Sequence, residues 1–306
     1  MPRDLGNLAT PARPAARTVA DASASRLGPA LPGAPSRPCG YHSLGEHPTF
    51  SARDCVCIED ARSPAFEGHY PRVRIGVILA GGFHARSSRG AVLVGPGAML
   101  LGNAGAPYEY RHVDDGGDRS IVFDYEESLL EDVRRSIGAP ARGEIAFDAA
   151  CLPASARSAA AAALARDALR SGEPQALHEA ALAVLAAALL ARRGAPAPAP
   201  ARHHREVAQA MRYVADHVAD DCSLDALARR AGLSTFHFLR TFRAHTGQTP
   251  RQFVIAARLR AAAAALRATR VPITRIALDA GFGDLSHFNA SFARSFGTSP
   301  RAYRRR

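Results

Sequence analysis

Two segments in the last third of the chain carry side chains of the types that recognise DNA bases. Arg240 can donate two parallel hydrogen bonds to a guanine edge, and Asn289 can pair with adenine in a comparable way. Arg243 and Arg294 lie farther along the same segments and are suited to phosphate contacts, which position a protein on DNA without reading its sequence. These residues predict a surface that contacts double-stranded DNA.

The elements that must position these side chains occur twice. In each copy a short apolar helix is expected at 225–231 or 273–280, and a second helix with a phenylalanine-rich face follows at 235–245 or 285–296. Ala231 matches Ala280 at an offset of 49. The pairs that repeat at an offset of 50 are His237 and His287, Phe242 and Phe292, Gly247 and Gly297, Pro250 and Pro300, and Arg251 and Arg301. Two helices joined by a turn with Gly232 or Gly281 form the helix-turn-helix arrangement.

Both copies close with a Gly-x-(Thr/Ser)-Pro-Arg segment. Thr249 and Ser299 can cap the helix that follows, and the N-terminus of such a helix can also attract a phosphate, so both roles stay open. The residues predicted to contact DNA are Thr235, Arg240, Arg243, Thr249, Arg251, Ser286, His287, Asn289, Arg294, Ser299 and Arg301.

The charge distribution supports a polyanionic partner for this part of the chain. Residues 205–306 contain 17 Arg against 7 Asp and Glu, a net charge of +10, whereas the other 204 residues carry only +1. Positive charge confined to one domain is the electrostatic footprint of a nucleic-acid-binding protein.

Residues 205–306 resemble the double helix-turn-helix DNA-binding domain of AraC-type (AraC/XylS family) transcription regulators. The matching features are the Ala-Gly-Leu and Ala-Gly-Phe turns and the Thr-Pro-Arg and Ser-Pro-Arg closures. The resemblance implies a helix at about 250–268 that joins the motifs, with two recognition helices entering successive major grooves roughly 34 Å apart. It also implies contact with RNA polymerase, and activation more often than repression.

The N-terminal part of the chain has a different pattern. Residues 1–44 are rich in Ala, Pro, Arg and Ser and are predicted to be disordered. Residues 45–150 contain short apolar strands separated by glycine turns, which predict a small sandwich or barrel. By pattern and position this segment resembles the cupin-like sensor domain attached to many AraC-type regulators. The expected fold class is therefore multidomain α+β, with a cupin-like β-barrel sensor domain, following helices and an all-α C-terminal domain.

A barrel that holds a small-molecule effector needs inward polar side chains to orient it. The candidates are His69, Arg72, Tyr108, Tyr110 and His112. No His-x-His pair occurs in the barrel region, and we predict no metal, cofactor or catalytic residue. The effector itself is not identified by these residues.

Residues 151–194 are expected to form a helical hairpin that covers the barrel or pairs two subunits in a homodimer. An Ala/Pro linker at 195–204 then leads to the DNA-binding domain.

The main alternative is a cupin-type metal enzyme or a thiol-based DNA-repair protein whose basic domain holds it on DNA. Cys55 and Cys57 lack the spacing of a structural zinc site, and all five cysteines are expected to be reduced thiols. No apolar run reaches the length of a membrane span and no secretory signal is evident, so a cytoplasmic protein with no membrane partner is expected.

Overall fold

The computed structural model describes residues 39–113, 116–138, 146–191 and 202–305. Most of the predicted disordered segment and most of the predicted linker lie outside these residues. Residues 39–44 differ from the prediction that they are disordered, because they begin strand β1 (Cys39–His47), which pairs in antiparallel register with β2 (Phe50–Cys57). The composition of these residues does not indicate a strand, and the strand is stabilised by its pairing with β2.

Within the described residues the N-terminal part contains two antiparallel sheets. The further strands are β3 (Phe66–His69), β4 (Val73–Gly81), β5 (Phe83–Ser87), β6 (Gly90–Val94), β7 (Met99–Gly102), β8 (Pro107–His112), β9 (Asp118–Tyr125) and β10 (Cys151–Leu152). One sheet has the order β1-β2-β9-β4-β7-β10 and the other β3-β8-β5-β6. The sheet-rich domain is confirmed, but its described strands form two sheets and not one closed barrel.

The larger sheet is buried on both faces. Ile75 and Val77 of β4 belong to a core shared with the helices, whereas Ile78, on the other face, packs with the second sheet. Successive residues of a strand point to opposite faces, so β4 contributes side chains to both hydrophobic cores. The domain therefore has three layers: helices, the six-stranded sheet and the four-stranded sheet.

The helical layer consists of α1 (Glu127–Ser136), α2 (Ala156–Ser171) and α3 (Pro174–Leu189). Val184 and Leu185 of α3 are fully buried in the same core as Ile75 and Phe123. The hairpin thus covers the sheet, which was one of its two predicted roles. Pairing of subunits stays a prediction.

The C-terminal domain follows the repeat. Its helices are α4 (His204–Asp216), α5 (Leu224–Arg230), α6 (Thr235–Thr246), α7 (Pro250–Ala268), α8 (Ile273–Asp279), α9 (Leu285–Phe296) and α10 (Pro300–Arg305). Helices α5 and α6 form the first motif, α8 and α9 the second, and α7 joins them. The predicted helices are confirmed to within one or two residues. None of the helices in the described ranges is long and apolar enough to cross a membrane.

Each motif has its own phenylalanine core. Phe238 and Phe242 are fully buried in the first motif, and Phe288 and Phe292 are fully buried in the second. Ser234 and Asp284 cap α6 and α9, because their side chains accept hydrogen bonds from the first backbone N–H groups of these helices. The recurring pattern of caps and aromatic residues explains why two helix pairs form in the same way.

The two domains are packed together through α4 and α2. Leu93 of β6 shares a buried cluster with Val207 and Met211 of α4. On the other side, Arg267 of α7 lies 3.3 Å from the carboxylate of Asp167 on α2. The C-terminal domain therefore contacts both the four-stranded sheet and the helical layer.

The turn glycines of the two motifs give a matched stability test. Both Gly232 and Gly281 have positive φ, so alanine at either position costs about 1–2 kcal/mol of backbone strain. Only at Gly281 would the new Cβ meet backbone, 2.5 Å from the Val218 carbonyl oxygen that accepts a hydrogen bond from Arg258. We expect Gly281→Ala to lower the urea midpoint of the helical circular dichroism signal more than Gly232→Ala does. Equal midpoints for the two variants would contradict this packing.

Candidate nucleic-acid interface and ligand cavity

Helix α6 presents a basic and aromatic face to solvent. Phe238, Phe242 and His245 anchor its inner side. Arg240 and Arg243 are exposed on the opposite side, as predicted from the stripe of apolar residues. The outward face of α6 therefore presents two guanidinium groups to solvent.

Phe236 completes this face and was missed by sequence reasoning. Its ring is 72 % exposed, and the guanidinium carbon of Arg240 lies 5.8 Å from the ring centroid. The sequence did contain an indication, because residues four apart lie on the same face of a helix. Phe236 is four residues before Arg240 and does not belong to the face formed by the buried phenylalanines. An exposed aromatic ring at this place can contact a thymine methyl group or hold the arginine side chain in position.

Thr235, the first residue of α6, is half-buried, and its contact with DNA stays a prediction. Its hydroxyl donates a hydrogen bond of 2.9 Å to Asp225 of α5, so it ties the two helices of the first motif together.

Helix α9 presents a different surface at the equivalent positions. The offset of 50 places Ser286, Ala290 and Ala293 where α6 has Phe236, Arg240 and Arg243, and all three are exposed. Asn289 is also exposed, but it corresponds to Leu239 and not to Arg240. The second recognition helix therefore has an uncharged outward face with one amide at its edge.

His287 and Arg294 lie on the flank of α9 that is turned toward the N-terminal domain. Together with Ser155 at the start of α2 they line a cleft of about 420 Å³. Both side chains are exposed, and both can reach a phosphate at the margin of a groove.

The closing residues of each motif act as helix caps. The Thr249 hydroxyl oxygen accepts a hydrogen bond from the Gln252 backbone N–H, and the Gln252 side chain accepts one from the Thr249 backbone N–H. The Ser299 hydroxyl oxygen accepts one from the Ala302 backbone N–H. Arg251 and Arg301 follow these caps and are exposed. Contact of these four residues with phosphate stays a prediction.

A second candidate site is a cavity of about 200 Å³ between the two sheets of the N-terminal domain. Its wall is rich in aromatic side chains, with a few polar groups among them. The aromatic lining residues are Tyr41, Phe66, Tyr70, Phe83 and Tyr110. The titratable groups with them include Cys55, Arg74, His112 and Asp118. An apolar pocket with a few convergent polar groups is the usual form of a small-molecule site.

The structure brings together three of the five predicted ligand-binding residues. Tyr110 and His112 line the cavity, and the ring of Tyr108 stacks on Tyr110 at 4.6 Å, directly behind the wall. These residues alternate along β8 and so share one face. His69 and Arg72 are exposed outside the cavity, and Arg72 pairs with Glu126 at 2.9 Å.

Burial raises the pKa values of several hydroxyl and thiol groups on the cavity wall. The hydroxyl groups of Tyr70 and Tyr110 are hydrogen-bonded to each other. Burial raises the pKa of Tyr70 to about 12 and the pKa of Tyr110 still further, so both phenols are neutral at physiological pH. Burial, followed by the nearby charge of Asp118, raises the pKa of the Cys55 thiol to about 12. The cavity thus offers neutral donors and acceptors to a ligand.

The prediction that all five cysteines are reduced is wrong for Cys39 and Cys57, which the structure joins in a disulfide at the edge of the cavity. Their sequence separation of 18 residues gave no sign of the pairing, because it depends on the register between β1 and β2. Cys55, Cys151 and Cys222 are free thiols.

Comparison with known proteins identifies the C-terminal part. A family model described as a helix-turn-helix domain matches residues 227–306. The transcriptional activator RhaS of Escherichia fergusonii is 39 % identical over 92 residues, which are 30 % of this chain and 33 % of RhaS. The chain thus spans about a third of the length of the curated relatives it matches.

Solved structures match the same region. The DNA-binding domain of AdpA in complex with a target DNA is 30 % identical, with a TM-score of 0.32, over 33 % of this chain and 90 % of that domain. An AraC-type transcriptional regulator from Chromobacterium violaceum is 25 % identical, with a TM-score of 0.32, over 35 % of this chain and 95 % of that chain. The RhaS protein of Salmonella arizonae, 38 % identical over 96 residues, is likewise named as a transcriptional activator. Residues 227–306 of this chain are thus identified as a helix-turn-helix domain.

Proposed function

We propose that this protein is a sequence-specific transcription regulator that binds double-stranded DNA through its C-terminal motifs. The observation that carries the proposal is the outward face of α6, where Arg240 and Arg243 are exposed within an AraC-type helix-turn-helix domain. The net charge of +10 over residues 205–306 supports it. The relatives named as activators favour activation. Contact with RNA polymerase is what the resemblance to AraC-type regulators implies.

The two motifs would not contribute equally to recognition. The face of α6 offers Arg240 for base readout and Arg243 for a phosphate, whereas the matching face of α9 offers Ser286 and two alanines. We therefore expect one strong half-site, bound by α6, and one weak half-site, where Asn289 makes the principal base contact.

The N-terminal cavity would bind the effector. Its volume of about 200 Å³ and its tyrosine- and phenylalanine-rich wall favour a compact aromatic molecule with one or two polar groups. We propose that the N-terminal domain is a cupin-like sensor because this cavity, which lies between its two sheets, binds the effector.

Val113, the residue that follows β8, connects this cavity to the DNA-binding domain. His112, the last residue of β8, and Asp118, the first residue of β9, line the cavity. Val113 packs against the cluster that contains Met211 of α4. Occupancy of the cavity can therefore bias the position of α4, and with it the first motif.

Selection from random double-stranded DNA by the full chain tests the DNA-binding proposal. Arg240→Ala should relax the preference at one base step of the strong half-site, at a cost of about 1–3 kcal/mol. Arg243→Ala should weaken binding to all sequences and lower the salt slope by about 1. Asn289→Ala should affect only the weak half-site.

The matched control is Arg135→Ala, which removes the same charge from an exposed position on α1 of the N-terminal domain. It should leave both affinity and preference unchanged. Retention of the full sequence preference by Arg240→Ala would overturn the assignment of α6 as the principal reader.

Filling the cavity tests the effector proposal. Gly76 lines the cavity, and a Cβ added there would lie 3.7 Å from Leu100, so Gly76→Leu can occupy the space without a backbone clash. Small aromatic acids and alcohols that bind the cavity should raise the melting temperature of the wild type, because a ligand at 100 times its Kd adds about 2.7 kcal/mol of stability. They should not raise that of Gly76→Leu. Equal shifts in both proteins would place the binding elsewhere.

A further inference from the structure

Three side chains at one end of the cavity lie in a row across adjacent strands. Cys39 of β1 is directly opposite Cys57 of β2, and Cys57 is directly opposite Asp118 of β9. Residues that are opposite in neighbouring strands project from the same face of a sheet. The sheet register therefore places two sulfur atoms and a carboxylate side by side on the cavity face.

A fourth group reaches this row from the other sheet. The Nε2 atom of His112 on β8 lies 2.8 Å from a carboxylate oxygen of Asp118. The ligand atoms of Cys57, His112 and Asp118 all lie within 4.8 Å of one another. The side chains of His112 and Asp118 are only 11 % and 6 % exposed, so both are held in place.

These groups are suited to a particular class of metal ion. Two thiolates, one imidazole and one carboxylate make a four-ligand set of the kind that Zn²⁺ takes in tetrahedral sites, whereas Mg²⁺ and Ca²⁺ need oxygen ligands. In the disulfide form the two sulfur atoms are bonded to each other and no thiolate is available. The same pair of cysteines can thus form either a disulfide or half of a metal site.

We propose that, in the reduced protein, Cys39, Cys57, His112 and Asp118 bind one thiophilic divalent cation of the Zn²⁺ class. A dithiol reductant breaks the Cys39–Cys57 bond, leaves as a cyclic disulfide and transfers two electrons and two protons, so that two thiols form. Metal binding then displaces the two thiol protons into solvent. Oxidation of the two cysteines by a disulfide reverses the sequence and releases the metal.

The position of the site gives it a route to the DNA-binding domain. His112 directly precedes Val113, which packs against the cluster that contains Met211. A metal ion bound to His112 and Asp118 fixes the end of β8 beside this contact. The metal site itself stands on the geometry of the N-terminal domain, and only its effect on DNA binding rests on the proposed function.

The test uses the full chain, reduced with dithiothreitol, freed of the reductant without oxygen, and titrated with Zn²⁺ against a chromophoric chelator. We expect one tightly bound equivalent in the reduced protein and none at this site after oxidation with diamide. Since loss of an outer-shell partner alone costs about 10–100-fold in affinity, Cys57→Ser and His112→Ala should each weaken binding by more than about 100-fold. Of the 12 His of the chain, those other than His112 can bind zinc weakly elsewhere, so the matched control is Cys222→Ser, which should keep the tight equivalent.

A second readout does not depend on the folding of a variant. Co²⁺ bound to the reduced wild type should show thiolate charge-transfer absorption and the ligand-field bands of a tetrahedral site. Weak binding without these bands, or tight binding that survives Cys57→Ser, would overturn the proposal and leave His112 and Asp118 as a hydrogen-bonded pair. Tight zinc binding without DNA selection would instead refute the proposed function and leave the metal site standing.

Discussion

The N-terminal domain depends on the burial of strand β9 on both of its faces. All eight residues of β9 are buried between β2 and β4. Ile121 and Phe123 face the helical layer, whereas Asp118 and Ser120 face the cavity. Because side chains alternate along a strand, a shift of one residue in the pairing of β9 would exchange its apolar and polar faces and destroy both the core and the cavity.

Charges within the same sheet reinforce this register. The guanidinium of Arg119 donates two hydrogen bonds, of 3.0 and 2.9 Å, to the carboxylate of Asp54 on β2. Asp124 is paired with Arg74 of β4 and with Arg53 of β2. Removal of one partner from a buried pair leaves an uncompensated charge, so these pairs oppose slippage more strongly than apolar contacts alone.

The DNA-binding domain shows how a repeat can keep its scaffold while its surfaces diverge. The phenylalanine core and the N-caps occur in both motifs, and they fix the angle between the two helices of each. The outward positions are exposed and lie outside the cores, and here one copy has Arg240 and Arg243 while the other has two alanines. This asymmetry suits a protein in which the first motif provides most of the DNA affinity and the second motif makes a smaller contribution. It also makes the contact between α4 and the N-terminal domain important, since α4 packs with the motif that carries the charge.

The sequence by itself determined the C-terminal domain: its two motifs, the bounds of their helices, their caps and the exposure of Arg240. These features depend on residues a few positions apart, where helical period and capping act directly. Only the tertiary structure decided that Tyr110 lines the cavity while His69 lies outside it. It also decided that Cys39, Cys57, His112 and Asp118 meet at one end of the cavity. These residues come from four strands of two sheets, and their proximity is set by strand register, which depends on contacts across the whole domain and has no local pattern in the chain.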